Sequence, residues 1–590
     1  MRAVRVRGGG EHMRIRGSWE KRRVEAYSRM GEIDRRTFVR LSGAGAAALI
    51  FGYGPFTHRV RAQTSFPAYP FSLGVASGDP LPDGVVLWTR LAPDPLAEDG
   101  RGGMTPETVP VQWEVAADQG FQQIVLRDTA LATPELAHTV HVEVAGLQPA
   151  REYFYRFRAG NELSPVGRTK TAPAAGASVA RMAFAFVSCQ QYEHGYYTAY
   201  RRMAELETLD LVVHLGDYIY EYGPNRYVAP DGNVRQHVGV ETIDLAGYRR
   251  RHAQYKTDPD LRAAHAAFPW VVTWDDHEVD NNYADQSPEN RTGANATTES
   301  FLARRAAAYQ AYYEHLPLRL TSVPTGPDML LYRRVTYGNL AQFNVMDTRQ
   351  YRSNQAAGDG RDAPNPTQQD PSRTMTGAEQ EKWLLDGLAA SGTTWNVLAQ
   401  QVFFAQRDFD TSAGELYAMD AWDGYLGSRN RIMNFIRDRR VRNPVVITGD
   451  VHNNWACNLK ADFYNQRSAT LGVEFVGTSV TSGGDGADTS FSQQQVVWEN
   501  PHIKFFNGQR GYVRCTLTPQ LWRADYRVLP YVKQPGALLY TRASFAVEAG
   551  RPGLQLVTQQ AARGTRVSSR LVESDVERIR AQQRAAGSRR

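Results

Sequence analysis

Three cysteines in 590 residues, Cys189, Cys457 and Cys515, are too few for a disulfide scaffold, and their odd number leaves at least one unpaired in a monomer. Long apolar runs are missing as well. Leu41 to Phe56 is too short and glycine-rich for a membrane span, and no later stretch reaches about 18 apolar residues. The glycine-rich segment Gly477–Gly486 lacks the Gly-Lys-Ser/Thr ending of a P-loop, which disfavours a nucleotide kinase. Evenly spread positive charge is also absent. The net charge is +6, yet residues 1–62 hold 14 basic and 5 acidic side chains and residues 563–590 hold 8 and 3, so residues 63–562 carry −8. A stable nucleic-acid complex is therefore not expected. What is present, with 42% hydrophobic and 22% charged residues, is a chain able to bury a large core across two to four domains.

Residues 1–62 read as a leader. Asp34-Arg35-Arg36-Thr37-Phe38-Val39-Arg40-Leu41 precedes a small, apolar run from Ser42 to Tyr53 and then Val60-Arg61-Ala62. This looks like a twin-arginine export signal cut near Ala62, which makes the export machinery a partner and the periplasm or exterior the destination. From 66 to 175 the pattern alternates in the manner of strands, as in Gly84-Val-Val-Leu-Trp-Thr-Arg90, Val109-Pro-Val-Gln-Trp-Glu-Val115 and Tyr153-Phe-Tyr-Arg-Phe-Arg158. Aromatics and Gly/Pro turns predict a small β-sandwich there, followed by a linker at Ala172–Ala177.

Beyond the linker, over 178–562, apolar strands end in polar residues and alternate with helical stretches. Met182–Val187 leads into Ser188-Cys189-Gln190, and Leu209–Leu215 leads into Gly216-Asp217-Tyr218-Ile219-Tyr220. Trp270–Trp274 leads into Asp275-Asp276-His277-Glu278, and Val445–Thr448 into Gly449-Asp450-Val451-His452. Buried strands that present chemistry at their carboxyl ends, with helices over the sheet faces, indicate an α/β fold. The polar stretches 222–265 and 285–320 predict helices or irregular walls around a cleft. Cys189, Asp217, Tyr220, Asp450 and His452 together suit a metal ion. A tyrosine near pKa 10 is a poor ligand for a weakly acidic dication, whereas Fe3+ can drive off its proton, so tyrosinate with thiolate points to iron. A bridging aspartate would hold a second ion, and a paired site that activates water and clamps phosphoryl oxygens suits phosphate-ester hydrolysis.

With these residues in view, the chain resembles the PhoD-like alkaline phosphatases, within the calcineurin-like metallophosphoesterases. The resemblance runs from Ser72-Leu-Gly-Val-Ala-Ser-Gly-Asp79 through Val85–Arg90, Ser188–Gln190 and Leu215-Gly-Asp-Tyr-Ile-Tyr-Glu-Tyr222 to Trp274–Asn282 and Thr448–His452. It implies a four-layer αββα metallophosphoesterase domain preceded by a small β-sandwich, acting on phosphomonoesters and often phosphodiesters with Fe3+ and Ca2+. By motif position Cys189, Asp217, Tyr220 and His452 look like the iron set. Asp217 would bridge to calcium, with Asp450 and a residue of the 276–282 loop on the calcium side. The wider superfamily has Gly-Asn-His-Glu where this chain has Asp275-Asp276-His277-Glu278, so Asp276 takes the asparagine's place, with Asn282 or Asn281 as alternatives.

For catalysis the reading selects His277, to protonate the leaving group, orient phosphate or stand behind the ligands, and Arg349, to meet phosphate oxygens or pair with Asp347. Small phosphate esters are the expected substrates, with phospholipid or nucleotide diesters as candidates. The competing readings are phospholipase D or another phosphodiesterase and, in a different class, a secreted binding protein with a structural metal. Trp422–Tyr425 and Asn453–Trp455 line the mouth or pack the domain, and Gly477–Gly486 is a candidate phosphate-facing loop. In the tail, 563–590, Val567 to Arg584 can form a charged helix with an apolar strip of Leu571, Val572, Val576 and Ile579, either a lid or a peripheral helix.

Overall fold

The computed structural model describes residues 65–562. The leader and the helix expected from 567 to 584 lie outside the described residues. Among those described, no helix is long and apolar enough to cross a membrane.

Two large sheets face each other. The parallel heart of the first is Met182–Val187, Leu211–His214 and Pro269–Val272, every residue of which is buried. Side chains of a strand alternate between faces, and here both faces are covered. Phe184 and Phe186 point into the space between the sheets and meet Phe343, Val397, Ile447 and Phe475 of the second sheet. Ala183 and Ala185 point outward, beneath Tyr200, Tyr255 and Leu261 of the helices Thr198–Leu206, Leu245–Lys256 and Pro259–Ala267. The second sheet has its own parallel core, Ala341–Val345, Trp395–Ala399, Pro444–Thr448 and Thr470–Val476. Its outer face packs Leu398 and Val446 against Leu384 and Ile432 of the helices Gly377–Ala390 and Leu426–Asp438. The α/β expectation therefore holds.

The first sheet extends past its parallel heart on both sides, to ten strands. On one side Gly511–Leu517, Leu521–Val528, Tyr540–Glu548 and Arg551–Gln559 continue it. On the other, Val75–Leu81 pairs in parallel with Pro269–Val272 and is followed by Gly84–Arg90 and Thr139–Ala145. These last three strands face a five-stranded sheet containing Val109–Ala116 and Glu152–Ala159 across Val75, Leu87, Val142, Val111, Tyr155 and Phe157. Two layers do stack in the N-terminal segment, but one of them is the end of the central sheet. Alternation in the sequence reveals the faces and is blind to which edge a strand joins.

The polar stretch 222–265 is less exposed than its composition suggests. In Leu245–Lys256, Arg249, Arg251, His252 and Lys256 are all buried. Arg249 forks onto Glu314 at 2.6 and 2.7 Å, and Lys256 sits 4.2 Å from the ring centre of Trp88. Histidines share this interior. Burial lowers His214 to about 3 and His141 to about 4 and holds His252, His265 and His315 well below the usual value. These rings are neutral in the folded chain. Below pH about 6.5 the unfolded chain binds protons that the folded chain refuses, so their contribution is intact above that pH and is lost as pH falls. Each contributes up to about 1.4 kcal/mol per pH unit in that window. An acid-unfolding curve followed by circular dichroism should have its midpoint moved to lower pH in His252→Phe, which keeps the stack on His315 but removes one obligatory proton; an unmoved midpoint contradicts this account.

Candidate metal centre

The candidate residues stand where parallel strands of both sheets end. Cys189 follows Met182–Val187, Asp217 follows Leu211–His214, Asp275 to His277 follow Pro269–Val272, and Asp450 and His452 follow Pro444–Thr448. Five of them hold backbone conformations that L-residues seldom adopt: Cys189 (φ 59°), Asp217 (57°), Asn282 (50°), Asp450 (63°) and His452 (57°). Such turns persist only where the surroundings enforce them. Gly216, at φ 108°, packs so tightly that a Cβ would lie 2.4 Å from the Asp275 nitrogen, and a Cβ on Gly449 would lie 2.7 Å from Ser188. Glycine at these points lets the strand-end loops touch. Hydrogen bonds then lock them: Cys189 N donates to Gly216 O at 3.0 Å, Gln190 N to Asp217 O at 3.0 Å, and Gly449 N to Gln401 O at 2.9 Å.

Glu278 is the clasp of this arrangement. Its buried carboxylate accepts from the backbone nitrogens of Asp217 (3.1 Å), Tyr218 (2.6 Å) and Asp275 (2.9 Å). Burial moves its pKa up to about 7 despite these bonds.

Within this frame the Tyr220 hydroxyl donates to Asp217 Oδ2 at 2.8 Å, lies 3.2 Å from His452 Nε2 and accepts from Ser482 at 2.8 Å. Three donor triads each bring their ligand atoms within 4.8 Å of one another: Cys189, Asp217, His452; Asp217, Asp276, His277; and Asp275, Asp276, Asp450. Asp217 joins the first two and Asp276 the last two. Asp217 Oδ1, Asp275 Oδ2 and Asp276 Oδ1 are buried without a hydrogen-bond partner. Buried carboxylate oxygens without donors are costly, and a cation removes that cost, so the donor set fits metal ions. Burial and mutual repulsion raise Asp217 and Asp275 well above the carboxylate range and Asp450 to about 6, while burial takes His452 down to about 3.

A cavity of about 260 Å³ opens onto the cluster, lined by Asp217, Asp276, Asp450, His277, His452, Tyr222, Tyr227, Asn281 and Asn282. His277 presents its ring to it. Nδ1 is 2.8 Å from Glu221, and the ring centre is 4.1 Å from that of Tyr220. Burial works against a charge there, but Glu221, Asp276 and Asp217 outweigh it and hold the imidazole raised. Asn282 donates its backbone N–H to Asp276 at 2.7 Å and its amide to Asp359 at 2.9 Å, whereas the Asn281 amide turns to Glu289 at 2.6 Å.

Arg349 lies among acids. Its guanidinium is fully buried: Nε donates to Asp275 at 2.5 Å, Nη1 to Asp420 at 2.9 Å, and Nη2 lies 3.4 Å from Asp450 and 3.5 Å from Asp276. From Arg349, Asp347 takes the backbone nitrogen, at 3.0 Å, and its carboxylate also accepts Gln350 N and Nε2, each at 3.0 Å. One guanidinium thus supplies positive charge to four acids of the cluster and its border. The 477–486 loop touches the site, with Thr481 N and Ser482 N reaching Cys189 O at 3.4 and 3.3 Å and the Ser482 hydroxyl donating to Tyr220. Trp422 is packing, its indole on Gln400 at 3.0 Å. Glu221 and Tyr222 were signalled by their place in the Leu215–Tyr222 motif, and Tyr227, in a polar loop, carried no signal.

Against known proteins, the family described as PhoD-like phosphatase matches residues 184–526, and its N-terminal domain matches residues 57–173. Alkaline phosphatase D of Bacillus subtilis (strain 168) is 56% identical over 562 residues, covering 94% of this chain and 95% of that one. A solved structure described as that of PhoD superimposes with a TM-score of 0.83 at 60% identity, covering 85% of this chain and 95% of that one.

Proposed function

This chain belongs to the PhoD-like alkaline phosphatase family, and from that premise we propose a secreted alkaline phosphatase that hydrolyses phosphomonoesters and phosphodiesters at an Fe3+ and Ca2+ site. The observation that carries the metal assignment is the Tyr220 hydroxyl seated between Asp217 and His452, in a cluster that also holds Cys189. Phenolate and thiolate beside imidazole favour Fe3+ over a weaker Lewis acid. The oxygen-only side, Asp276 and Asp450 with Asn282 at the cavity wall, suits a hard cation such as Ca2+. Bound ions supply the Lewis acidity that activates water and draws charge from phosphoryl oxygens.

The chain's own residues do the rest. Asp217 bridges the two sides, and Glu278 keeps the Asp217 and Asp275 loops in register. His277, oriented by Glu221 and facing the cavity, donates a proton to the leaving-group oxygen. Among the described residues no lysine or arginine lines the cavity, an arrangement that supports diesters, with their single charge, as substrates alongside monoesters. The facing sheets with helices outside support a four-layer αββα domain over 178–562, behind a β-sandwich at 66–175. Arg35-Arg36 and the run after it support twin-arginine export with cleavage near Ala62.

Metal analysis with a visible spectrum tests this reading. Iron and calcium are expected together, with a tyrosinate-to-iron charge-transfer band that disappears in Tyr220→Phe. A colourless, fully active wild-type protein would refute the iron assignment.

A further inference from the structure

We propose that Arg407 and Arg361 form a subsite, beside the metal centre, for a second anionic group on the substrate, one carried beyond the scissile phosphate; this rests on the hydrolase reading above. Arg407 is 6% exposed, yet among the described residues its guanidinium makes no hydrogen bond and no ion pair, and its Nε is buried without a partner. The carboxylates around it are committed elsewhere. Asp423 takes Arg429 at 2.6 Å and the Arg407 backbone nitrogen at 2.9 Å, and Asp408 Oδ1 takes the backbone nitrogens of Asp410 and Leu416, each at 2.9 Å. A buried guanidinium without a counter-charge is expensive.

Aromatic rings hold it in place. Its central carbon lies 4.1 Å from the ring centre of Phe403, 4.6 Å from Phe409 and 5.2 Å from Trp455. Arg361, exposed, lies 3.6 Å from the same Phe409 ring, so two like charges share one aromatic side chain. The Trp455 Nε1 beside them is a further buried donor without an acceptor. Ring faces offset part of a cation's desolvation but do not satisfy N–H donors. Two guanidinium groups and an indole, all donors, lack an acceptor-rich anion, and a phosphate group meets a guanidinium fork well.

The position is adjacent to the chemistry. Arg407 lies on the loop that follows Trp395–Ala399, whose Gln401 carbonyl holds Gly449, the neighbour of Asp450. Trp455, whose ring centre lies 5.2 Å from the Arg407 guanidinium carbon, stands three residues after His452. A substrate with its scissile phosphate at Asp217 and Asp450 would carry a neighbouring phosphate toward Arg407.

Two chromogenic diesters separate the possibilities: thymidine 5′-(p-nitrophenyl phosphate) and its 3′-phosphorylated counterpart, which differ only in the distal phosphate. The wild-type holoenzyme should favour the 3′-phosphorylated compound by about tenfold in kcat/KM, chiefly through KM, as one charge-assisted contact would give. Arg407→Met should bring that ratio to about one, and the surface change Arg361→Gln should lower it without touching the core. Should Arg407→Met fail to fold, Arg407→Lys, retaining one charge, should keep part of the preference. Equal kcat/KM for the two compounds in the wild type, or a preference that survives both Arg407→Met and Arg361→Gln, overturns the subsite. If sulfate alters turnover of the simple diester in wild type but not in Arg407→Met, the occupant is a free anion and the substrate assignment falls. Release of nitrophenolate from neither compound would mean that the hydrolase reading itself has failed.

Discussion

Asp217→Asn is expected to lower kcat by at least about a thousandfold, a loss of about 4 kcal/mol of transition-state stabilisation, and to reduce the metal content of the purified protein. The expectation follows from the residue's position. Asp217 belongs to two of the three donor triads, its Oδ2 accepts the Tyr220 hydroxyl, and its Oδ1 has no partner in the protein. Asparagine has nearly the same shape and keeps a carbonyl oxygen for the hydroxyl, so the fold should survive. What it removes is the negative charge by which one side chain would serve two cations. Steady-state kinetics and metal analysis on the same preparation check this. Wild-type kcat with wild-type metal content would show that the two sides of the site are not joined through Asp217.

Arg349→Leu should destabilise the metal-stripped protein by about 3–5 kcal/mol, the usual result of removing one member of a buried ion-pair network. Here a single guanidinium faces Asp275, Asp420, Asp450 and Asp276 at 2.5, 2.9, 3.4 and 3.5 Å. Lysine cannot replace it, because one ammonium does not reach in several directions as a planar fork does. The sign of the pH dependence follows. Burial already holds Asp275 and Asp450 above the ordinary carboxylate value, and removing the cation that opposes this raises both further. The penalty is then small where they are protonated and grows as pH rises through their folded-state values. Denaturant unfolding at pH 6 and pH 8 should show the larger loss at pH 8. Equal losses would mean that Arg349 acts through packing alone. Restored metals should narrow the gap between variant and wild type, since they supply positive charge to the same acids.

The α/β alternation and the strand ends that carry Cys189, Asp217, Asp276 and Asp450 were legible because a strand buried on both faces leaves an apolar run in the sequence and its chemistry comes at once afterward. The role of Arg349 was not legible. Asp347, two residues away, is a plausible partner in sequence, whereas Asp275 and Asp420 become neighbours only when the two sheets face each other. The same holds for Glu278, whose three backbone partners lie on two loops. The helix Leu245–Lys256 misleads in the opposite sense: arginine and lysine read as surface, but Glu314 and Trp88, distant in sequence, receive them. Edge partnership hid the fate of the N-terminal strands, because pairing with Pro269–Val272 leaves no local mark on Val75–Leu81.

The ten-stranded sheet also constrains the order in which the protein can be completed. Met182–Val187, which ends at Cys189, has Leu211–His214 on one side and Gly511–Leu517 on the other, and Phe186 lies opposite Val513. Ser77 lies opposite Pro269. A growing chain can therefore form local helices and the Val109–Ala116 hairpin early, but the strand that carries the thiol stays half-paired until more than three hundred further residues have been made. Contacts so distant in sequence are slow to form and leave an open edge in the meantime. The finished centre thus depends on chain made well after its last donor, and synthesis that stops before Gly511 leaves a polypeptide bearing all the named donors without the strand that closes the sheet behind them.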